Sequence, residues 1–569
     1  MEQRVDAQGT WAPVSSLMPD FSGGVSLLLS DGTILVKACG GGTDTVGAIW
    51  DKLRPDTNGS YINGTWSRTA TMHSTRLFCS SQTLRDGRVY MAGGEYGSGT
   101  RTAEIYNPVT DSWTTTTGPL TGGRFILDGN SEMLPDGRVL QNCVLPSSEL
   151  NDIYNPLTDS FSIAPSCLGG ADEAGWLLLP DNSVLFIDID SKLSERYIPS
   201  LNIWKRDDTV PVMLYDPLGY EAGASFLLPD GRGFFIGSEP VTAYYTPSGD
   251  TANGRWAAGP AIPDSLGAVD AAASMMPNGK ILCALSQQAV PDTEFLIPAW
   301  FYEFDYLTNS FTEVPACAGG DTMNIRCSQT GMLNLPDGNI LMTVQNSKQV
   351  YVYQPGGTPL AAGMPVVNNI TMLNCDTFMA TGTLFNGISQ GAAYGDDWQM
   401  FTNYPVIRLM YHDTASGSDY AYYARTFNWN SSGVMTGSQP DTTYFTLPAG
   451  LPYNTYNLFV VANGIASSGT SFTPCYTAGV PQVQNIGNLM NVYPNPATGQ
   501  ATVVFTSATN SQYHLQLIDV LGQVVSDETG TSGNGLNNRV IALNGLAKGV
   551  YSVVLRQDGG VFTTKLVVE

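Results

Sequence analysis

The sequence is poor in charge, poorer in bases and almost without histidine. Charged residues make up 13% of its 569 positions, 26 bases face 50 acids, and the only histidines are His73, His412 and His514. A formal charge of -24 repels phosphate backbones and anionic headgroups, which argues against nucleic acid and against direct membrane insertion. No apolar run approaches the ~18 residues of a spanning helix. The opening Met1-Glu2-Gln3-Arg4 lacks the apolar stretch of a signal peptide, so Met1 reads as a start placed on a trimmed exported chain. Nine cysteines occur without any CxxC spacing, which argues against a zinc ribbon or a thioredoxin-like site. In an exported chain some should pair. Cys317 with Cys327 would close a short loop, and Cys375 with Cys475 would join the first and last strands of one domain. Gly-x-Ser-x-Gly, HExxH, P-loop and dinucleotide fingerprints are missing too. So are heptads and long helix-forming stretches.

What is abundant is turn chemistry: 61 Gly, 34 Pro and 27 Tyr describe an all-β chain. One turn is written seven times, centred on Asp31, Asp86, Asp136, Asp181, Asp230, Asn278 and Asp337, each but one followed by Gly and each set between apolar runs. Such a dipeptide is a strong hairpin signal because the tight turn needs a positive φ. The spacing of 45 to 59 residues is the period of a propeller blade. Two aromatics recur in phase with the turn. One closes a third strand (Tyr106, Tyr154, Tyr197, Tyr245, Phe304, Tyr353) and one opens a fourth (Trp66, Trp113, Phe161, Trp204, Trp256, Phe311). The fourth strand missing from the end is supplied by Trp11 at the start, so the N-terminal strand is expected to complete the last blade.

This pattern, with Gly93-Gly94 and Ala103-Glu104-Ile105-Tyr106-Asn107-Pro108, resembles kelch repeats and implies a seven-bladed β-propeller over residues 1–356. Residues 357–480 read as an immunoglobulin-like sandwich. Thr402-Asn403-Tyr404-Pro405 and Ala424-Arg425-Thr426-Phe427-Asn428-Trp429 resemble the C-terminal sandwich of galactose oxidase and related kelch proteins. After a linker at 481–490, residues 491–569 form a second sandwich. There Tyr493-Pro494-Asn495-Pro496, Asp519-Val520-Leu521-Gly522, Lys548-Gly549-Val550-Tyr551 and the terminal Lys565 to Glu569 resemble the type A sorting domain of Bacteroidetes exported proteins. That resemblance implies type IX secretion machinery as a partner, and a secreted or surface-attached protein.

The galactose oxidase resemblance also implies a copper ion held by two tyrosines and two histidines, one tyrosine being cross-linked to cysteine. Phe78-Cys79 resembles the family's Phe-Cys pair, but Asp128 stands where the cross-linked tyrosine would be. Arg326-Cys327-Ser328-Gln329 replaces the Tyr-His pair, and Tyr394-Gly395-Asp396-Asp397 replaces the loop bearing the second histidine. Of the three histidines, His412 reads as surface. Divalent copper favours imidazole nitrogen. No catalytic residue is assigned, and Cys79 reads as structural.

A different constellation stands out. Eight residues before the turn position lie Asp128, Glu173 and Asp270, with Glu221 one residue further back in its blade. At about 3.3 Å per residue this places them at the channel mouth opposite the Asp-Gly turns. They could be strand caps, a site for a cation or a polar ligand such as a sugar, or a catalytic group. Glu221 has the opposite parity and would point elsewhere unless a bulge intervenes. Calcium at Asp128, Glu173 and Asp270 is the expected cation, and no other cofactor is expected. Three functions stay open: a binding protein engaging a glycan or other surface polymer, an oxidase or other carbohydrate-active enzyme, and a structural surface component. The purified protein is expected neither to bind copper stoichiometrically nor to release peroxide from galactose. One-to-one copper with a tyrosyl-radical absorption would overturn that expectation.

Overall fold

Each of the seven turns is closed the same way. The side-chain oxygen of Asp31, Asp86, Asp136, Asp181, Asp230, Asn278 or Asp337 accepts the backbone N–H two residues on, at 2.9 to 3.1 Å. The residue between takes a left-handed conformation, φ 75° to 90° at the six glycines and 67° at Asn182. Apolar residues on both sides then pair as the inner two strands of a sheet. In the computed structural model, which describes residues 8–42, 45–116, 123–189, 191–393, 402–475, 490–507, 510–533, 535–557 and 560–569, seven such sheets follow one another and form a β-propeller. The described residues contain no α-helix, and three short 3-10 turns interrupt the strands.

The recurring aromatics face each other directly across strands three and four. Tyr106 lies opposite Trp113, Tyr154 opposite Phe161, Tyr197 opposite Trp204, Tyr245 opposite Trp256 and Phe304 opposite Phe311, with ring centroids 4.6 to 5.4 Å apart. In the last sheet the partner of Tyr353 is Trp11, because Thr10–Pro13 pairs with Tyr351–Gln354. The chain start thus supplies the fourth strand of the final sheet. Fourth-strand indoles also tie sheets together, Trp11 Nε1 donating to Pro315 O, Trp66 Nε1 to Ser16 O and Trp113 Nε1 to Ala70 O.

Strands from Val366–Met372 to Thr470–Phe472 make the sandwich. Its strand Ser418–Phe427 changes sheets midway, Ile407 to Asp413 pairing with residues up to Ala424 and Thr446 to Tyr444 with Arg425 to Phe427. Phe378, Ile407, Leu409, Phe445, Leu458 and Phe472 fill its core. Cys375 and Cys475 form a disulfide, Cα atoms 4.9 Å apart. The expected Cys317–Cys327 bridge is absent. Cys317 turns its sulfur to Met323 Sδ at 3.2 Å, while Cys327 is fixed at the entry to the last sheet, its N–H donating to Ser286 Oγ and its sulfur directed at Val269 O.

The sandwich lies on the Asp-Gly turns. Tyr423 packs on Gly32, Arg425 Nη2 donates to Asp86 O and Arg408 Nη1 to Pro336 O. It also reaches into the ring. Strand Gln390–Ala393 pairs antiparallel with the innermost strand Ser225–Leu227 of the fifth sheet, and Gln390 Nε2 donates to both carboxylate oxygens of Glu132 at 2.9 Å. Propeller and sandwich are accordingly one compact unit, Met1–Cys475.

Residues Tyr476–Glu569 form a second unit with its own core, including Val503, Phe505, Leu515, Leu517, Val553, Leu555 and Leu566. Of the linker expected at 481–490, residues 481–489 lie outside the described residues. The motifs of this unit are hydrogen-bonding devices. Asn495 holds the final strand through Val567 N and Lys565 O, Asp519 Oδ1 accepts Leu521 N and Gln523 N, and Tyr551 O–H reaches Ala547 O.

Deleting residues 1–16 is expected to destabilise the first unit by at least about 3 kcal/mol, since an indole and a strand of pairing go together. An unchanged melting temperature would contradict ring closure by this strand. A chain ending at Ala478 keeps every core residue of the first unit and is expected to melt within about 2 °C of it, whereas removal of Lys565 to Glu569 should block export. Normal secretion of that shortened chain would remove the sorting role.

Candidate functional site

The end of the propeller opposite the Asp-Gly turns carries the acids. They do not sit on the innermost strands, as strand geometry predicts, because those strands are short: Ser131–Met133, Leu177–Leu178, Ser225–Leu227 and Ala273–Met275. Asp128, Glu173, Glu221 and Asp270 lie in the loops just before them. Each loop turns through a left-handed non-glycine residue, Leu127 (φ 53°), Glu173 (54°), Tyr220 (66°) and Asp270 (48°), with Phe78 (51°) doing the same in the second sheet. Side chains with a Cβ rarely adopt this conformation, which costs about 1–3 kcal/mol and concentrates at functional sites.

Strand parity therefore says nothing about Glu221. Its loop is knotted by the fully buried Asp216, whose carboxylate accepts N–H groups from Leu218, Gly219 and Glu221. Glu221 is turned into the same cavity as Glu173 and Asp270. The Glu294 carboxylate packs directly over the Cα of Gly219, where a Cβ would displace it.

The loops enclose a cavity of about 480 Å³ lined by Glu95, Glu173, Glu221, Asp270 and Glu294, the rings of Phe78, Tyr96 and Phe295, and Arg326, Ser328 and Gln345. Asp128 and Asp172 stand beside it: one carboxylate oxygen from each of Asp128, Asp172 and Glu173 lies within 4.8 Å of the others. Tyr96 is half exposed and meets Phe78 edge-on at 6.2 Å. Arg76 secures the loop beneath, donating to Gly93 O, Gly99 O and Thr102 O.

Burial, then the charge of Asp172, pushes Asp128 up to about 7 against a stabilising hydrogen bond with Glu173. Burial, then Glu95, raises Asp172 to about 6. Glu173 rises through burial and the charges of Glu221, Asp128 and Asp270, and Glu221 through burial, Asp270 and Glu294. Among the described residues Asp128, Asp172, Glu173, Glu221 and Glu294 form no ion pair, and each keeps a buried oxygen without a hydrogen-bond partner.

Asp172, Glu95 and Glu294 are the residues that sequence reasoning misses. Asp172 is signalled only by its adjacency to Glu173, while Glu95 and Glu294 belong to loops with no fixed phase to the turns. The strand bearing Gln390 is missed as well.

The residues aligned with copper ligands are occupied otherwise. Cys79 is buried with its sulfur 3.2 Å from Met91 Sδ, and Gln329 Oε1 accepts the Arg326 N–H. Residues 394–397 lie outside the described residues. His73 is bonded to Glu104 at 2.9 Å, His412, at an exposed strand end, to Asp419 at 2.8 Å, and His514 to Asp527 in the second unit. None lines the cavity.

Deeper in the channel, burial raises Glu132 to about 8 from its ordinary 4.5, against bonds from Gln390 and Met133 N. A carboxyl whose pKa is higher folded than unfolded contributes in full below the unfolded value, and that contribution is lost as pH rises through the folded one. Stability is therefore expected to fall between about pH 4.5 and pH 8, and Glu132→Gln to flatten the fall in a melting series. An identical slope in the variant would show that Glu132 does not titrate in this window.

Comparison with known proteins agrees with this picture at the level of modules. Residues 491–569 match the secretion system C-terminal sorting domain, and residues 83–118, spanning the outer three strands of the second sheet, match the kelch motif. No curated protein matches the sequence. Among solved structures, a fungal alcohol oxidase of the AA5 family in complex with copper is similar at 14% identity and TM-score 0.49, over 83% of this chain and 100% of that one. A streptogramin B lyase is similar at 10% identity and TM-score 0.43, over 61% of this chain and 98% of that one. The chain thus carries a kelch motif within its β-propeller and a secretion system sorting domain over residues 491–569, which marks it for export to the cell surface or beyond.

Proposed function

We propose that this is a non-catalytic extracellular binding protein whose acidic propeller mouth engages a neutral or amino-bearing glycan. The observation that carries the reading is the pairing, in one open cavity, of carboxylate oxygens lacking donors with the faces of Phe78 and Tyr96. Sugar hydroxyls are donors, and hydrogen bonds to a carboxylate are about twice as strong as neutral ones. The C–H face of a sugar ring is apolar and suits an aromatic face. A ring of acids with Arg326 as the one base in the lining repels uronate and sulfate polymers, so the sign of the charge narrows the ligand class. The scattered histidines favour binding over a copper oxidase.

Screening the intact protein against polysaccharides tests this. Neutral and aminated polymers are expected to bind, and alginate or sulfated polymers not. Tyr96→Ala and Glu221→Gln are each expected to weaken binding about tenfold. Retention of anionic polymers alone would overturn the ligand class, and release of reducing sugar would overturn the non-catalytic reading.

A further inference from the structure

Asp128 reaches the mouth from the loop before the third sheet, and Asp172 and Glu173 from the loop before the fourth, so two neighbouring blades deliver three carboxylates to one point. Their nearest oxygens lie within 4.8 Å of one another. Asp128 is 4% exposed, and its Oδ1, like Asp172 Oδ1 and Glu173 Oε2, has no hydrogen-bond partner. A buried carboxylate oxygen without a donor has lost its water and gained nothing in exchange. A proton shared between Asp128 and Glu173 would satisfy one contact and leave Asp172 as it is. A cation at the centre satisfies all three together.

We infer that Asp128, Asp172 and Glu173 form a calcium site at the propeller mouth. An all-oxygen, all-carboxylate donor set selects a hard ion over zinc or copper. Ligands at about 2.4 Å from one centre lie at most ~4.8 Å apart, which the observed spread meets, whereas magnesium at ~2.1 Å demands a tighter and more regular cage. Loops turning through left-handed Leu127 and Glu173 give an irregular cage, which calcium tolerates. The remaining coordination positions fall to water or ligand, with Glu221 and Asp270 adding negative charge beside the ion. Asp270 is a neighbour here and not a ligand, which departs from the set that the sequence spacing predicts. The site does not depend on the glycan reading, since it is assayed with the ion alone.

The metal-stripped full chain, titrated with calcium chloride in a calorimeter, is expected to bind one ion. Its melting temperature should rise by about 2–4 °C at a hundredfold excess over Kd. Asp172→Asn combined with Glu173→Gln should abolish both responses, and Asp86→Asn with Asp136→Asn, at the other end of the blades, should leave them intact. Should the first double variant fail to fold, Asp128→Asn read by terbium luminescence replaces it, with at least a tenfold loss of terbium affinity expected. No heat and no melting shift in the parent, or unchanged binding in these variants, overturns the site. An equal response to magnesium overturns the choice of ion.

Discussion

Seven sheets arranged around an axis have no reason to stay together unless the last is joined to the first. Here the joint is the pairing of Thr10–Pro13 with Tyr351–Gln354, which leaves no sheet short of its outer strand and seats Trp11 against Tyr353 and Phe301. A second seam lies nearer the axis, where Asn346 N donates to Ser22 O and Ser22 N to Ser347 O, linking the first sheet to the last. Everything at the mouth hangs from this closure. Loops from separate blades point at one another only while the circumference is fixed.

The closed ring explains how several carboxylates can be held in one cavity although their charges oppose it. A flexible loop would relieve the repulsion by moving apart. Loops anchored at both ends in rigid sheets, and knotted internally as Asp216 knots the one bearing Glu221, lack that freedom. The cost appears instead as raised pKa values and left-handed backbone at consecutive blades. The sandwich contacts the blades at their other end, the one bearing the Asp-Gly turns.

Much of this was legible in the residues because turn chemistry and register are local. Asp-Gly predicts a hairpin wherever it occurs, and the aromatics that recur in phase are cross-strand neighbours in every sheet where the two are found. Asp128, Glu173, Glu221 and Asp270 could be placed at the mouth because a blade repeats its length from the turn backwards. What could not be read is what breaks the repeat. Leu127 and Tyr220 adopt left-handed conformations that no propensity announces, and Glu294 arrives from the loop between the second and third strands of the sixth sheet. Gln390 comes from another domain altogether, and its pairing with Glu132 spans 258 residues. The Cys317–Cys327 expectation failed for a related reason: closeness in sequence says nothing about the direction in which two side chains leave a folded loop.

The strand Gln390–Ala393 changes the meaning of the domain boundary near residue 357. A boundary in sequence usually marks where one folding unit can be cut from the next. Here the innermost strand of the fifth sheet acquires its last partner, and Glu132 its side-chain donor, from a segment made after the entire ring. During synthesis the propeller axis stays unfilled until residue 393 has emerged. The unit Met1–Cys475 thus holds ring and inserted strand together before the sorting domain is reached.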